Sequence, residues 1–74
     1  MGTNPVDALT ERELEVLAMF SAGLATKTIA SNLRISPQTV RTHARSIYRK
    51  LGVTNRVQAI LLYQDSALGG PGIE

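Results

Sequence analysis

Apolar residues recur at helical spacing in four stretches of the chain, and turn-forming residues separate these stretches. In the first stretch, leucine and alanine residues share one helical face between Leu14 and Ala18. Thr10 can cap this helix, and Glu13, three residues later, completes a capping box. The pattern predicts a helix that begins after Thr10 and ends just before Gly23.

The second and third stretches are separated by a turn of only three residues. Thr26 is the best available cap for the second stretch. Ser36 and Pro37 start the third, with serine as the cap and proline at the first helical position. Gly52 stops the third stretch, and Thr54 can cap a fourth. The predicted helices cover about residues 11–22, 26–33, 37–51 and 55–64.

A short helix, a three-residue turn and a longer helix form the helix-turn-helix pattern. The tight turn makes the second and third helices cross steeply, so the first helix must cover their apolar faces. We therefore predict an all-α, four-helix domain over residues 9–65. The chain ends are rich in glycine, proline and polar residues, and we expect flexible tails at residues 1–8 and 66–74.

The third helix has two faces of different chemistry. Apolar residues from Val40 to Leu51 occupy one narrow arc, which predicts the core side. The opposite face carries Gln38, Arg41, Thr42, Arg45 and Arg49. Arginine can bind guanine, glutamine can pair with adenine, and a threonine methyl can contact a thymine methyl in the major groove. The first four of these residues lie in the N-terminal half of the helix, which normally reaches bases, so they are candidate base contacts.

Charge is distributed unevenly along the chain. The net charge is only +2, but no acidic residue occurs between Val16 and Gln64. Seven of the eight basic residues lie in that same stretch. A field of one sign over most of a domain favours a polyanionic partner. On charge alone, a solvated basic face stays open as the alternative.

The fourth helix has two candidate faces. Ala59, Leu62 and Tyr63 can lie together and dock on the core. The other face is formed by Val57, Ile60, Leu61 and Gln64. An exposed apolar patch on a small domain suggests a partner surface, with chance variation on a short helix as the alternative.

Residues at matching spacing from Leu9 to about Tyr63 carry a family resemblance. They are Leu9-Thr10, Arg12-Glu13, Glu15-Val16-Leu17, Gly23, Ile29-Ala30, Leu33, Ile35-Ser36, Thr39-Val40-Arg41, His43, Ile47, Lys50-Leu51-Gly52-Val53, Asn55-Arg56 and Ala59. At these positions the chain resembles the effector domain of the LuxR-type transcription regulators. The resemblance implies a four-helix domain that binds double-stranded DNA and regulates transcription in a bacterium.

The resemblance also implies roles for single residues. The family's base-contacting positions fall on the four candidates of the third helix. Phosphate contacts are expected at Lys27, Ser36, Thr39, Arg49, Lys50, Asn55 and Arg56, with Arg49 assigned from its place on the outward face. The fourth helix is expected to pair two copies into a homodimer, weakly without DNA or an upstream domain. The chain departs from the family where Ala25-Thr26-Lys27-Thr28 replaces the usual Ser/Thr-Asn-Lys-Glu.

Other function classes are less favoured. A protein-interaction module could bind a partner helix, and RNA polymerase is a candidate partner beside DNA. The promoter-binding domain of a sigma factor is a rival, although the segments at residues 9–17 and 50–56 favour the LuxR type. With no cysteine and one histidine, no catalytic residue, cofactor or metal site is predicted. No apolar run approaches the roughly 20 residues that span a bilayer, and no signal peptide opens the chain, so we expect a cytoplasmic protein without a membrane partner.

Overall fold

Four α-helices follow a short 3₁₀ helix in a computed structural model that describes residues 5–68, with side chains from residue 5 to residue 65. The 3₁₀ helix is Pro5–Ala8. The α-helices are α1 (Glu11–Ser21), α2 (Thr26–Leu33), α3 (Pro37–Leu51) and α4 (Arg56–Leu68). No strand occurs within the described range, and the prediction of an all-α, four-helix domain is confirmed.

The predicted caps of α1 and α3 are both present. The Thr10 hydroxyl accepts a hydrogen bond from the Glu13 N–H at 3.1 Å, and the Glu13 carboxylate accepts one from the Thr10 N–H at 2.9 Å. The Ser36 hydroxyl accepts a hydrogen bond from the Thr39 N–H at 3.1 Å. These side chains satisfy N–H groups that a helix start would otherwise leave unpaired.

The predicted caps of α2 and α4 are wrong by one residue each. Ala25 is the N-cap of α2 and offers no side-chain bond, while Thr26 is the first helical residue. Before α4, the Asn55 side-chain oxygen accepts a hydrogen bond from the Gln58 N–H at 2.9 Å. Thr54 lies one residue too early to cap, and its own N–H donates to the Gln58 side chain.

Three of the helices end in the same way. Gly23, Arg34 and Gly52 have left-handed backbone conformations after α1, α2 and α3. In each case the next N–H bonds to a carbonyl five residues back, as between Ile35 and Ala30 at 3.0 Å. This arrangement stops each helix abruptly and satisfies its last carbonyls. It also keeps the α2–α3 turn to three residues.

The core lies where α1 packs against both α3 and α4 and where α2 packs against α3. The largest fully buried side chains come from α1, α2 and α3, and they are Val16, Leu17, Ile29, Val40 and Ile47. The apolar faces of α1 and α3 therefore supply most of the apolar contact that stabilises the domain.

The 3₁₀ helix corrects the predicted N-terminal tail. Val6 is 7% exposed and packs into the core together with Leu9. Residues 5–8 are thus part of the folded domain, because Val6 is buried and the 3₁₀ helix contacts both α3 and α4. At the other end, α4 continues to Leu68, beyond the predicted end at residue 64. The tail predictions for residues 1–4 and 69–74 lie outside the described residues.

Candidate nucleic-acid interface

The outward face of α3 is built as predicted. Gln38, Arg41, Thr42 and Arg45 are all exposed, and Val40 on the opposite face is fully buried. Within residues 5–65, the structure describes no hydrogen bond or ion pair for the side chain of Arg41 or Arg45. Their guanidinium groups are therefore available to a ligand.

Two polar residues, Gln38 and Thr42, share this face with the arginines. The Thr42 hydroxyl donates a hydrogen bond to the backbone carbonyl of Gln38 at 3.1 Å. This bond fixes the orientation of the Thr42 side chain. Because the hydroxyl is already bonded, the methyl group is the part of this side chain that is left for contact with a partner. Gln38 is exposed in the first turn of α3. The face thus offers two guanidiniums, one amide and one methyl group at helical spacing.

The start of α3 carries two exposed hydroxyls. The hydroxyls of Ser36 and Thr39 lie 2.9 Å apart, and Ser36 also accepts the Thr39 N–H. Both residues are predicted phosphate contacts, and they lie together at the positive end of the helix dipole. Lys27 is exposed in the first turn of α2, where the structure describes no partner for it.

Lys50 has an internal partner. Its ammonium nitrogen lies 2.8 Å from Glu13 Oε1, and Ser46 donates a hydrogen bond to Glu13 Oε2 at 2.7 Å. Burial of Glu13 raises its pKa, but the bonds from Lys50, Ser46 and Thr10 outweigh this effect and lower the pKa to about 2. The network holds α1 against α3. Lys50 therefore has a structural role, and its side chain is also partly exposed.

Arg56 is also held inside the domain. Its Nη2 atom donates a hydrogen bond to the Leu24 carbonyl at 2.6 Å. Its guanidinium lies 4.3 Å from the centroid of the Phe20 ring, a cation–π distance. These two contacts hold the start of α4 against α1 and against the loop between α1 and α2. Asn55, its neighbour, is exposed and engaged in the cap of α4.

The outer face of α4 exposes two apolar side chains. Val57 is 65% exposed and Leu61 is 59% exposed. Gln64, also exposed, donates a long hydrogen bond of 3.4 Å to the Ser21 hydroxyl. We call Val57 and Leu61 the apolar patch, and they lie one helical turn apart on the same side.

Ile60 departs from the predicted outer face. It is half-buried and packs against the core. The buried arc of α4 is wider than predicted because both α1 and the 3₁₀ helix cover it. Ile60 lies about 60° around the helix from Tyr63, which also packs on the core, so it falls within this wider arc.

A comparison with protein families identifies the domain. The family described as bacterial regulatory proteins, luxR family, matches residues 7–63, which is most of the chain. The chain belongs to this luxR family. As a luxR-family domain, it is a helix-turn-helix DNA-binding domain of a bacterial transcription regulator.

Several curated relatives carry a similar luxR-family segment. The chain is 52% identical over 60 residues to the nitrate/nitrite response regulator protein NarP of Escherichia coli, and 48% identical over 60 residues to a nitrate/nitrite response regulator protein homolog of Haemophilus influenzae. Each alignment covers 81% of this chain but only 28% and 29% of the respective relatives. A glycerol metabolism activator of Pseudomonas putida is 50% identical over 56 residues, which are 76% of this chain and 25% of that relative. The chain thus spans less than a third of the length of these relatives.

Two further properties concern other kinds of site. Over the range that the structure describes, no cluster of three histidine or acidic residues could hold a metal ion. None of the described helices is both long enough and apolar enough to cross a membrane.

Proposed function

We propose that this domain binds double-stranded DNA sequence-specifically, with α3 in the major groove. Gln38, Arg41, Thr42 and Arg45 contact base edges in this proposal. The observation that carries it is the exposure of Arg41 and Arg45 on the outward face of α3, without a partner among the described residues. A bidentate arginine contact can distinguish guanine from other bases. Two such groups on one face therefore favour sequence-specific binding over non-specific electrostatic binding to DNA.

Contacts to DNA phosphates supply much of the affinity. The exposed candidates are Lys27, Ser36, Thr39, Arg49 and Asn55, which lie at helix starts or on the outward face of α3. Lys50 contributes mainly by its charge, because its nearest described partner is Glu13. Arg56 donates one hydrogen bond to the Leu24 carbonyl and keeps its other N–H donors for a phosphate. Counterion release makes such binding strongly dependent on salt concentration.

Two copies of the domain bind neighbouring half-sites in this proposal. The apolar patch of Val57 and Leu61 supports a contact between the two copies, with Ile60 and Gln64 at its border. The patch is small, so the homodimer forms mainly on DNA. The exposed patch also favours a second candidate function, contact with another protein such as RNA polymerase.

The domain acts as the output part of a longer cytoplasmic regulator. The support is the length of the relatives, of which this chain covers about a quarter. Two of these relatives are named nitrate/nitrite response regulators, so the signal for this protein is proposed to arrive through a further segment. The function of the domain described here is DNA binding rather than catalysis.

Selection of bound sequences from a random DNA pool tests this function. The affinity of the selected duplex is then compared with that of a scrambled duplex for the wild type, Arg41→Ala and Arg45→Ala. Each substitution is expected to cost about 1–3 kcal/mol on the selected duplex and much less on the scrambled one. Arg12→Ala is the control, because Arg12 is an exposed residue of α1 paired with Glu15 at 3.5 Å. Unchanged preference in both α3 variants would show that this face does not determine selectivity.

A further inference from the structure

Beside α3, residues from all four helices line a pocket of about 240 Å³. Phe20, Val40 and Ala44 form its apolar wall, and all three are buried. The polar lining consists of Thr26, Arg41, Arg45, Tyr48 and Arg56. No acidic residue lines the pocket. The site therefore gathers three of the chain's eight basic residues around one concave surface.

The half-buried guanidinium in this pocket is already fixed in place. Arg56 donates to the Leu24 carbonyl at 2.6 Å and lies over the Phe20 ring. A guanidinium has five N–H donors, and the described bond uses one of them. Because the group is held before any ligand arrives, binding costs little side-chain entropy. Arg41 and Arg45, by contrast, are exposed and can adjust to a ligand.

The other groups of the pocket also suit an anion. Burial raises the pKa of the Tyr48 hydroxyl, so this phenol stays protonated and can donate a hydrogen bond at neutral pH. Thr26 is the first residue of α2, and its N-cap Ala25 provides no side-chain oxygen for the N–H groups of that turn. Three guanidiniums repel one another unless negative charge lies between them. Guanidinium groups match the oxygen geometry of phosphate especially well.

We propose that this pocket binds one phosphate group between the half-buried Arg56 and the exposed Arg41 and Arg45. The phosphate group belongs either to the DNA backbone or to a free compound such as pyrophosphate. Since Arg41 and Arg45 also belong to the proposed base-contacting face, a free phosphate compound would compete with DNA beyond its effect on ionic strength. The DNA source rests on the proposed function, whereas the free source does not.

Titration of the domain with sodium pyrophosphate tests the pocket itself. Sodium chloride holds the ionic strength constant, and backbone and aromatic NMR signals report the site. We expect saturable binding that shifts the Thr26 amide and the Tyr48 ring signals. Arg45→Gln should weaken this binding about tenfold, because it removes a charged hydrogen-bond donor. The matched control is Arg34→Gln, which removes the same charge from an exposed position outside the pocket and should weaken binding less than about twofold.

If both substitutions weakened pyrophosphate binding equally, or if the NMR shifts never saturated, the anion would be attracted by the overall positive charge and not by the pocket. Either result overturns the proposal. The result is independent of DNA, since pyrophosphate could bind saturably even if the domain had no preferred duplex. In that case the pocket would stand and the proposed function would fail.

Duplexes with single neutral methylphosphonate groups distinguish the two sources of phosphate. Each backbone phosphate of the selected duplex is replaced in turn, and affinity is measured for the wild type and Arg45→Gln. A DNA phosphate in the pocket predicts one position where the two changes are not additive. Additive losses at every position, together with competition by pyrophosphate, assign the pocket to the free compound. Pyrophosphate that binds saturably but does not displace DNA would contradict the sharing of Arg41 and Arg45.

Discussion

The backbone of Arg34 adopts a conformation that residues with a side chain rarely occupy. Its φ is 59°, and glycine holds the equivalent place after α1 and α3. The conformation is kept because the Ile35 N–H must reach the Ala30 carbonyl for α2 to end and α3 to begin within three residues. A side chain in this left-handed region costs about 1–2 kcal/mol relative to glycine. The turn at the centre of the helix-turn-helix therefore stores strain.

Arg34→Gly should stabilise the domain by about 0.5–1 kcal/mol. Relief of the strained conformation exceeds the entropy that an added glycine gives to the unfolded chain. Urea unfolding at neutral pH measures the change in the free energy of unfolding. Arg34→Ala is the control, because it removes the same charge but keeps a Cβ atom. A similar gain from alanine would attribute the effect to charge rather than to the backbone.

At the scale of elements, one buried carboxylate couples α1 to α3. Glu13 is 5% exposed and accepts hydrogen bonds from Thr10, Ser46 and Lys50. The first bond caps α1, and the other two reach side chains of α3. A buried charge is tolerated only when it is paired and hydrogen-bonded, and this group meets both conditions. Loss of the negative charge would weaken the start of α1 and its contact with α3 together.

The domain should lose stability as the pH falls from about 5 to about 2, through titration of Glu13. The pKa of this carboxyl is about 2 in the folded domain, compared with 4.5 for an unperturbed glutamate. A folded-state pKa below the unfolded one adds stability above pH 4.5, and this stability disappears as the pH falls through the folded value. The contribution is about 3 kcal/mol, as an order of magnitude. Thermal unfolding across this pH range measures it.

Glu13→Gln should be less stable than the wild type at neutral pH and should show a flatter pH dependence in that window. Glu15→Gln provides the control, since Glu15 is exposed and makes only a surface ion pair with Arg12. This variant should keep the wild-type slope. A Glu13→Gln protein that loses stability as steeply as the wild type would show that other carboxyls cause the acid sensitivity.

Sequence patterns predict the helices of this domain well but miss what joins them. The start of α1 is visible in the sequence because Thr10 and Glu13 lie three residues apart and satisfy each other's N–H groups. The outward face of α3 follows from helical periodicity alone. The pair of Glu13 and Lys50 spans 37 positions, and local spacing carries no signal for such a contact. The same holds for Arg56, whose bond to Leu24 spans 32 positions.

Over the whole molecule, the two candidate binding surfaces lie on different helices. The proposed DNA contacts come mainly from α3 and the helix starts, whereas the apolar patch of Val57 and Leu61 is on α4. A domain of this size makes few base contacts on its own. Two copies on adjacent half-sites would multiply selectivity, and DNA itself would raise their effective concentration. The patch can then contribute even though it is too small for a stable dimer in solution.

Leu61→Glu should lower affinity for a duplex with two half-sites by about tenfold, because burial of a leucine at the contact is lost. Affinity for a single half-site should stay almost unchanged, since Leu61 is not among the proposed DNA contacts. Leu61→Lys separates packing from charge. Lysine attracts DNA whereas glutamate repels it, so an apolar contact predicts that both variants lose cooperativity between half-sites. If lysine instead kept wild-type cooperativity, the glutamate effect would be electrostatic and the apolar patch would have another partner.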